Sequence, residues 1–187
     1  MKVDLSFIVV FLNEENNLVN ICKEIKKIEL LLPDLSYEIV LVNDGSSDRS
    51  WEIASELAKD TNENIKAISF IRNFGAIEAV IAGIQESNGK FLVDMAADGQ
   101  EPIELFANLY KNNIEEKVEV SWGVRTSRKD PWLSKLFSKL NARLMQKFAI
   151  KNYPNEGLDA FCISRKIGQF LLDNYTASSN LHNLIYW

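Results

Sequence analysis

Apolar residues fall in short blocks along this chain, and polar turns separate the blocks. Residues 5–12 form an apolar strand, continuous but for Ser6. Leu18, Ile21, Cys22, Ile25 and Ile28 then recur at helical spacing. Asn13 reads as the cap of that helix, with Glu14 and Glu15 in its favourable first turn, and Pro33-Asp34 ends it. Residues 38–42 are a second strand and 49–57 a helix. A third strand over 65–71 is followed by a small-residue helix over 76–85. Residues 91–95 make a fourth strand whose apolar run is broken only by Asp94. Pro102 opens a helix that runs to about Asn113. The remaining pattern predicts a strand over 118–124, a long helix over 132–148, a short strand over 158–164 and a helix over 165–172. Strand and helix alternate throughout, which predicts a single α/β domain: a mostly parallel sheet flanked by helices. The pattern stops in mid-element at Leu184-Ile185-Tyr186-Trp187, so sequence beyond Trp187, with a membrane segment in it, is expected.

Composition adds little to this picture, and charge adds more. With 187 residues, 47% hydrophobic and 25% charged, the chain has enough apolar material for one real core. A net charge of −5 argues against nucleic acid as a partner. Residues 123–151 nevertheless carry eight basic side chains and one acid, +7, so the rest of the chain carries −12. Within that island Lys135, Lys139, Arg143 and Lys147 share one helix face and Leu133, Leu136, Phe137, Leu140, Leu144 and Phe148 another. The pattern fits a core helix with a wet basic face. It equally fits a helix laid on an anionic bilayer, at about 1 kcal/mol per basic residue. Cys22 and Cys162 have no metal-ligand spacing and read as reduced, buried thiols. His182 reads as structural. No apolar run reaches the roughly 20 residues of a membrane helix, and no leader peptide is visible at Met1-Lys2-Val3-Asp4.

The candidate chemistry lies just after the strands. Asn13-Glu14, Asn43-Asp44-Gly45-Ser46, Arg72-Asn73 and Asp98-Gly99-Gln100 each follow one. Parallel strands bring such turns to one edge of a sheet, where α/β proteins bind ligands. Asp98 and Gln100 offer the oxygen donors that suit a hard divalent cation, whose remaining ligands substrate phosphates supply. The first turn has no glycine, so a Gly-rich dinucleotide loop is absent, and no Walker loop is present.

Residues 38–48 (Glu-Ile-Val-Leu-Val-Asn-Asp-Gly-Ser-Ser-Asp), Arg72-Asn73-Phe74-Gly75 and Ala97-Asp98-Gly99-Gln100-Glu101-Pro102 together resemble family 2 glycosyltransferases of the GT-A fold. Within these the chain is most similar to the branch that moves sugars onto polyprenyl phosphates, such as dolichyl-phosphate mannose synthases and bactoprenol glucosyltransferases. The resemblance runs over essentially the whole chain. It implies that Asn13 and Glu14 line the base and ribose pocket, that Asp44 contacts the nucleoside, and that Arg72 and Asn73 flank the nucleotide. Asp98 and Gln100 would hold Mg²⁺ or Mn²⁺ on the donor diphosphate. Arg125 and Arg128 would bind phosphate, Asp159 would face the acceptor, and Arg165 would lie near the acceptor phosphate. The implied partners are a UDP- or GDP-sugar, a polyprenyl phosphate or glycan acceptor, and a membrane surface at its cytoplasmic face, with homo-oligomerisation compatible. Four positions depart from the family pattern. Ala96 stands for the first aspartate of the metal motif, Gly99 for a common leucine, Asn43 for a common aspartate and Ala76 for a frequent lysine.

The implied reaction is an inverting displacement. A cation and arginines would neutralise the departing diphosphate. A lipid phosphate is already anionic near pH 7, since phosphate monoesters titrate near ~6, so Asp159 would position it rather than deprotonate it. With a sugar hydroxyl as acceptor, Asp159 would have to act as base. A third alternative, motivated by Ala96, keeps nucleotide-sugar binding without catalysis.

Overall fold

The computed structural model of the chain describes residues 3–60, 64–123 and 160–176, together with Leu181 and Ile185. Arg125, Arg128, Asp159, His182 and the basic stretch 132–148 lie outside the described residues. The elements in chain order are β1 (Leu5–Phe11), α1 (Leu18–Lys26), α2 (Ile28–Leu31), β2 (Tyr37–Asn43), α3 (Ser50–Leu57), β3 (Ile65–Ser69), α4 (Ala76–Glu86), β4 (Phe91–Ala96), α5 (Ile103–Glu115), β5 (Val120–Gly123), β6 (Ala160–Ser164) and α6 (Arg165–Asn174).

The strands form one sheet in the order β3-β2-β1-β4-β6-β5. β3, β2, β1 and β4 are mutually parallel, and β6 runs antiparallel to both its neighbours. β1 lies at the centre because its seven residues are apolar almost without break, the composition of a strand covered on both faces. Phe7 and Val9 join one core with Leu18, Ile21 and Ile25 of α1 and Phe106 of α5. Ile8, on the other face, packs with Val80 and Ile84 of α4 and Leu171 of α6. The strand order reverses direction between β1 and β4. Such a switch point opens a crevice at the carboxyl ends of the two strands, because the connections leave them towards opposite sides.

Two boundaries differ from the sequence pattern. α1 starts at Leu18, one turn later than expected, because Asn13 adopts φ 57° and turns the chain instead of capping a helix; asparagine tolerates that left-handed conformation better than most residues. β3 ends at Ser69, which frees residues 70–75 to form a loop at the rim. Among the described residues no helix is long and apolar enough to cross a membrane.

Two carboxylates lie within the sheet, with opposite environments. Glu38 of β2 is 1% exposed. It accepts hydrogen bonds from the Ser6 hydroxyl (2.7 Å) and the Asn88 backbone N–H, and its Oε2 lies 2.9 Å from the Lys66 ammonium. Burial pushes its pKa up, but the Asn88 amide, Lys66 and Ser6 outweigh it and hold the carboxyl below the ordinary 4.5. Asp94 of β4 sits beside Ile8 in the β1–β4 register, on the strand face that Leu92 turns towards α4. Burial, reinforced by the Glu101 charge, pushes its pKa up to about 7.

The two groups therefore respond to pH with opposite sign. Glu38 stabilises the fold fully above its unfolded pKa, and loses that contribution as pH falls through its lowered folded value. Glu38→Gln should cost about 2 kcal/mol at neutral pH, the worth of hydrogen bonds to a charged group. Urea unfolding should show the gap between wild type and variant shrinking at pH 3. Asp94 costs nothing below its unfolded pKa; its penalty grows as pH rises towards about 7 and is flat above it. Asp94→Asn should raise the melting temperature at pH 8, less at pH 5 and hardly at pH 3.5. A gain independent of pH would show that Asp94 is not titrating in the fold.

Candidate functional site

A cleft of about 350 Å³ opens at the switch point. Val10, Phe11 and Leu12 of the β1 end and Ala96, Ala97 and Asp98 of the β4 end form its two sides. Glu14, Asp44, Asn73, Gly75 and Ala76 complete the lining. All four polar turns singled out in the sequence therefore contribute to one cavity.

Most of their polar groups, however, are spent on each other. The Asn13 side-chain carbonyl accepts from the Ser47 backbone N–H (2.8 Å), and the Asn13 backbone N–H donates to Ser46 Oγ (2.9 Å). The Glu14 N–H donates to Ser50 Oγ (2.8 Å), and the Arg49 N–H donates to Glu15 Oε2 (3.1 Å). These bonds lace the β1 turn to the β2 turn. Asn43 is likewise engaged: its amide donates to Ser69 Oγ (2.9 Å), and its side-chain oxygen accepts from the Ser46 N–H (3.0 Å).

Asp44 is 3% exposed. Its Oδ1 accepts from the Phe74 N–H (2.8 Å) and its Oδ2 from the Gly75 N–H (3.1 Å). Gly75 is the residue that opens α4, so a carboxylate in the turn after β2 caps a helix that follows β3. Gly45 allows the two turns this proximity. It holds φ 74°, and a Cβ there would stand 2.3 Å from the Arg72 carbonyl carbon.

Asp98 lies at the mouth of the cleft and is exposed. Its Oδ1 accepts from the Gln100 N–H (3.0 Å), a tight turn closed by Gly99 at φ 68°. A leucine at that φ would be strained, which accounts for the glycine. Among the described residues no group of three or more His, Cys, Asp or Glu is placed to enclose a metal ion. One carboxylate with an amide beside it fits a cation held jointly with a ligand's phosphates, and does not fit a closed all-protein site.

The other expected residues are divided. Asn73 lines the cleft; Arg72 lies back over the Phe74 ring, its guanidinium carbon 4.4 Å from the centroid. Arg165 is not brought to this rim. It follows β6, which runs antiparallel to β4, and so lies at the opposite end of the sheet. There its guanidinium donates to Gly89 O (2.9 Å), Ile84 O (3.0 Å) and Ser87 Oγ (3.0 Å), binding the α4–β4 turn. The expectation that Arg165 meets an acceptor phosphate is thereby corrected: strand direction puts it on the wrong edge. The sequence reading also missed that Asp44 holds the Phe74-Gly75 amides, and no local pattern signals a bond across 30 residues.

The glycosyl transferase family 2 model matches residues 6–170. An undecaprenyl-phosphate 4-deoxy-4-formamido-L-arabinose transferase of Enterobacter sp. is 32% identical over 170 residues, 90% of this chain and 50% of the relative. An uncharacterized glycosyltransferase of Synechocystis sp. is 32% identical over 173 residues, 89% of this chain and 52% of the relative. The chain thus spans about half the length of these relatives. A mannosyltransferase from Pyrobaculum calidifontis, solved with GDP-Man and Mn²⁺, shares the fold at TM-score 0.65 and 16% identity, over 98% of this chain and 50% of that one. The polar rim, the switch-point cleft and the match over residues 6–170 agree: the chain belongs to glycosyl transferase family 2.

Proposed function

We propose that this chain binds a UDP- or GDP-sugar in the switch-point cleft and transfers the sugar, with inversion, to a polyprenyl phosphate. The observation that carries this reading is the cleft itself, lined by Glu14, Asp44 and Asn73 together with the exposed Asp98. A nucleotide-sugar needs such a layout, with polar contacts for the nucleoside and an anion-tolerant mouth for the diphosphate. The acceptor class is supported by the relative that is an undecaprenyl-phosphate sugar transferase.

Asp98, with Gln100 beside it, would hold Mg²⁺ or Mn²⁺, as the Mn²⁺ bound in a neighbour of the same fold supports. When bound, such a cation supplies charge neutralisation at the departing diphosphate. The chain's own residues orient the donor: Glu14 and Asn73 face it, and the laced turns keep the cleft in shape without the ligand. Pre-formed contacts of this kind avoid the ordering cost of binding. Arg125, Arg128 and Asp159 remain assigned to phosphate and acceptor by resemblance. The cytoplasmic face of a membrane, where a polyprenyl phosphate is met, is the proposed place of action.

Ligand linkage gives the test. A nucleotide-sugar at a hundred times its Kd stabilises by about 2.7 kcal/mol, which for a chain of this size raises the melting temperature by about 5–10 °C. UDP-glucose, UDP-GlcNAc and GDP-mannose should be assayed by thermal unfolding with and without Mn²⁺ or Mg²⁺. One of them should give such a shift, and Asp98→Ala should abolish the part that depends on the cation. No shift with any of the three would reject the reading.

A further inference from the structure

The turn that carries Asp98 leaves β4 where the sheet supports that strand least. Among the described residues β6 pairs with β4 only over Phe91, Leu92 and Val93, whereas β1 follows it as far as Ala96. Beyond the strand two bonds shape the turn itself. The Gly99 N–H donates to Ala96 O (3.4 Å), and the Gln100 N–H donates to Asp98 Oδ1 (3.0 Å). Neither ties the far end of the turn back to the strand. A side chain makes that tie. Glu101 is half-buried, directly before Pro102 and α5, and its Oε2 accepts from the Ala96 backbone N–H (3.3 Å). Ala96 and Glu101 bracket Asp98, so their bond fixes where the turn begins and where it ends.

We infer that Glu101 is a positioning residue for a cation held at Asp98: its carboxylate clasps the end of β4 and so sets how Asp98 is presented to the cleft. The inference rests on the donor-binding reading above and deepens its cation part. A cation shared with phosphates takes only one or two protein carboxylates, so the placement of each matters. Asp98 is exposed, on a turn that contains Gly99 at φ 68°, and apolar packing does little to hold it. Partners one bond removed from a metal ligand fix its direction, and losing one typically weakens metal binding by tenfold or more. The Glu101 bond lies at the rim, where water competes for it, so its loss should cost the fold little. Among the described residues no three of His, Cys, Asp or Glu are grouped to hold a metal ion, so Asp94, Asp98 and Glu101 do not form a joint site.

The test compares wild type, Glu101→Ala and Glu101→Gln. Glutamine keeps an oxygen for the Ala96 amide and removes the charge. A side chain that clasps the turn is therefore rescued by glutamine, and one that binds the cation directly is not. The readout is the rise in melting temperature that Mn²⁺ adds to saturating UDP or GDP, taken against the same nucleotide with EDTA. Glu101→Ala should weaken cation binding about tenfold, which lowers this increment by about 3–5 °C. Glu101→Gln should keep it to within about 1 °C. The melting temperature with EDTA should stay close to that of wild type in both variants. In the ligand-free protein, hydrogen exchange at the Ala96 amide should speed up in Glu101→Ala and not in Glu101→Gln.

An unchanged increment in Glu101→Ala, an equal loss in both variants, or unaltered exchange at Ala96 would overturn the inference while leaving donor binding intact. No response of wild type to either nucleotide would overturn both. Should Glu101→Ala fail to fold, wild type and Glu101→Gln decide. Mn²⁺ with nucleotide must then slow exchange at the Ala96 amide in both, and an unchanged rate in either would overturn the inference.

Discussion

The Asp44 carboxylate, held between two backbone amides of another turn, is the contact on which the cleft depends. Loops at a sheet rim have many conformations and little apolar burial to choose among them. Here the choice is made by polar bonds between turns. Asp44 fixes the entrance of α4 by capping it from the turn after β2, and places a negative charge where the helix dipole favours one. Asn13, Glu14 and Glu15 are tied in the same way to Ser46, Ser47, Arg49 and Ser50. The result is a cavity whose floor is strand ends and whose walls are mutually bonded turns.

This arrangement explains which parts of the molecule were legible in the sequence. The sheet was, because apolar runs at β1, β2 and β4 leave no other burial and helical spacing in between demands crossovers. The convergence of the four turns followed from parallel strands alone. Asp98 lines the cleft, as its place after β4 requires. The roles within the turns were not legible. Asn13 carries the side chain of a helix cap, yet it spends that side chain on Ser47, 34 residues away. Arg165 has the residue type of a phosphate ligand, but the antiparallel course of β6 carries it to the far edge. Residue type says what a group is able to bind; the partner available to it depends on strand direction and turn geometry that no local window contains.

Glu38 and Asp94 show the same point inside the sheet. Both are carboxylates beside apolar strand residues; the pattern reads Asp94 as a break in its strand and Glu38 as the start of one. Glu38 meets a hydroxyl, a backbone amide and an ammonium, and is ionised more easily than in water. Asp94 faces burial and the Glu101 charge, and holds its proton up to about pH 7. Burial raises the pKa in each case, and the partners decide the net direction.

Ala96 links these observations to the metal motif. With alanine at the first position of that motif, the mouth of the cleft has Asp98 as its motif carboxylate. Asp94 lies on the same strand face as Ala96, two residues earlier, but is not among the groups lining the cleft. A charge at this half-buried position is costly, because desolvation and the Glu101 charge push the Asp94 pKa up to about 7. Because Asp94 is not part of that lining, the proposed donor-binding reading leaves the donor's own diphosphate to supply the remaining oxygens around a cation at Asp98. Cation and nucleotide would then bind as one unit, each weak without the other, in a cleft whose turns hold their shape before either arrives.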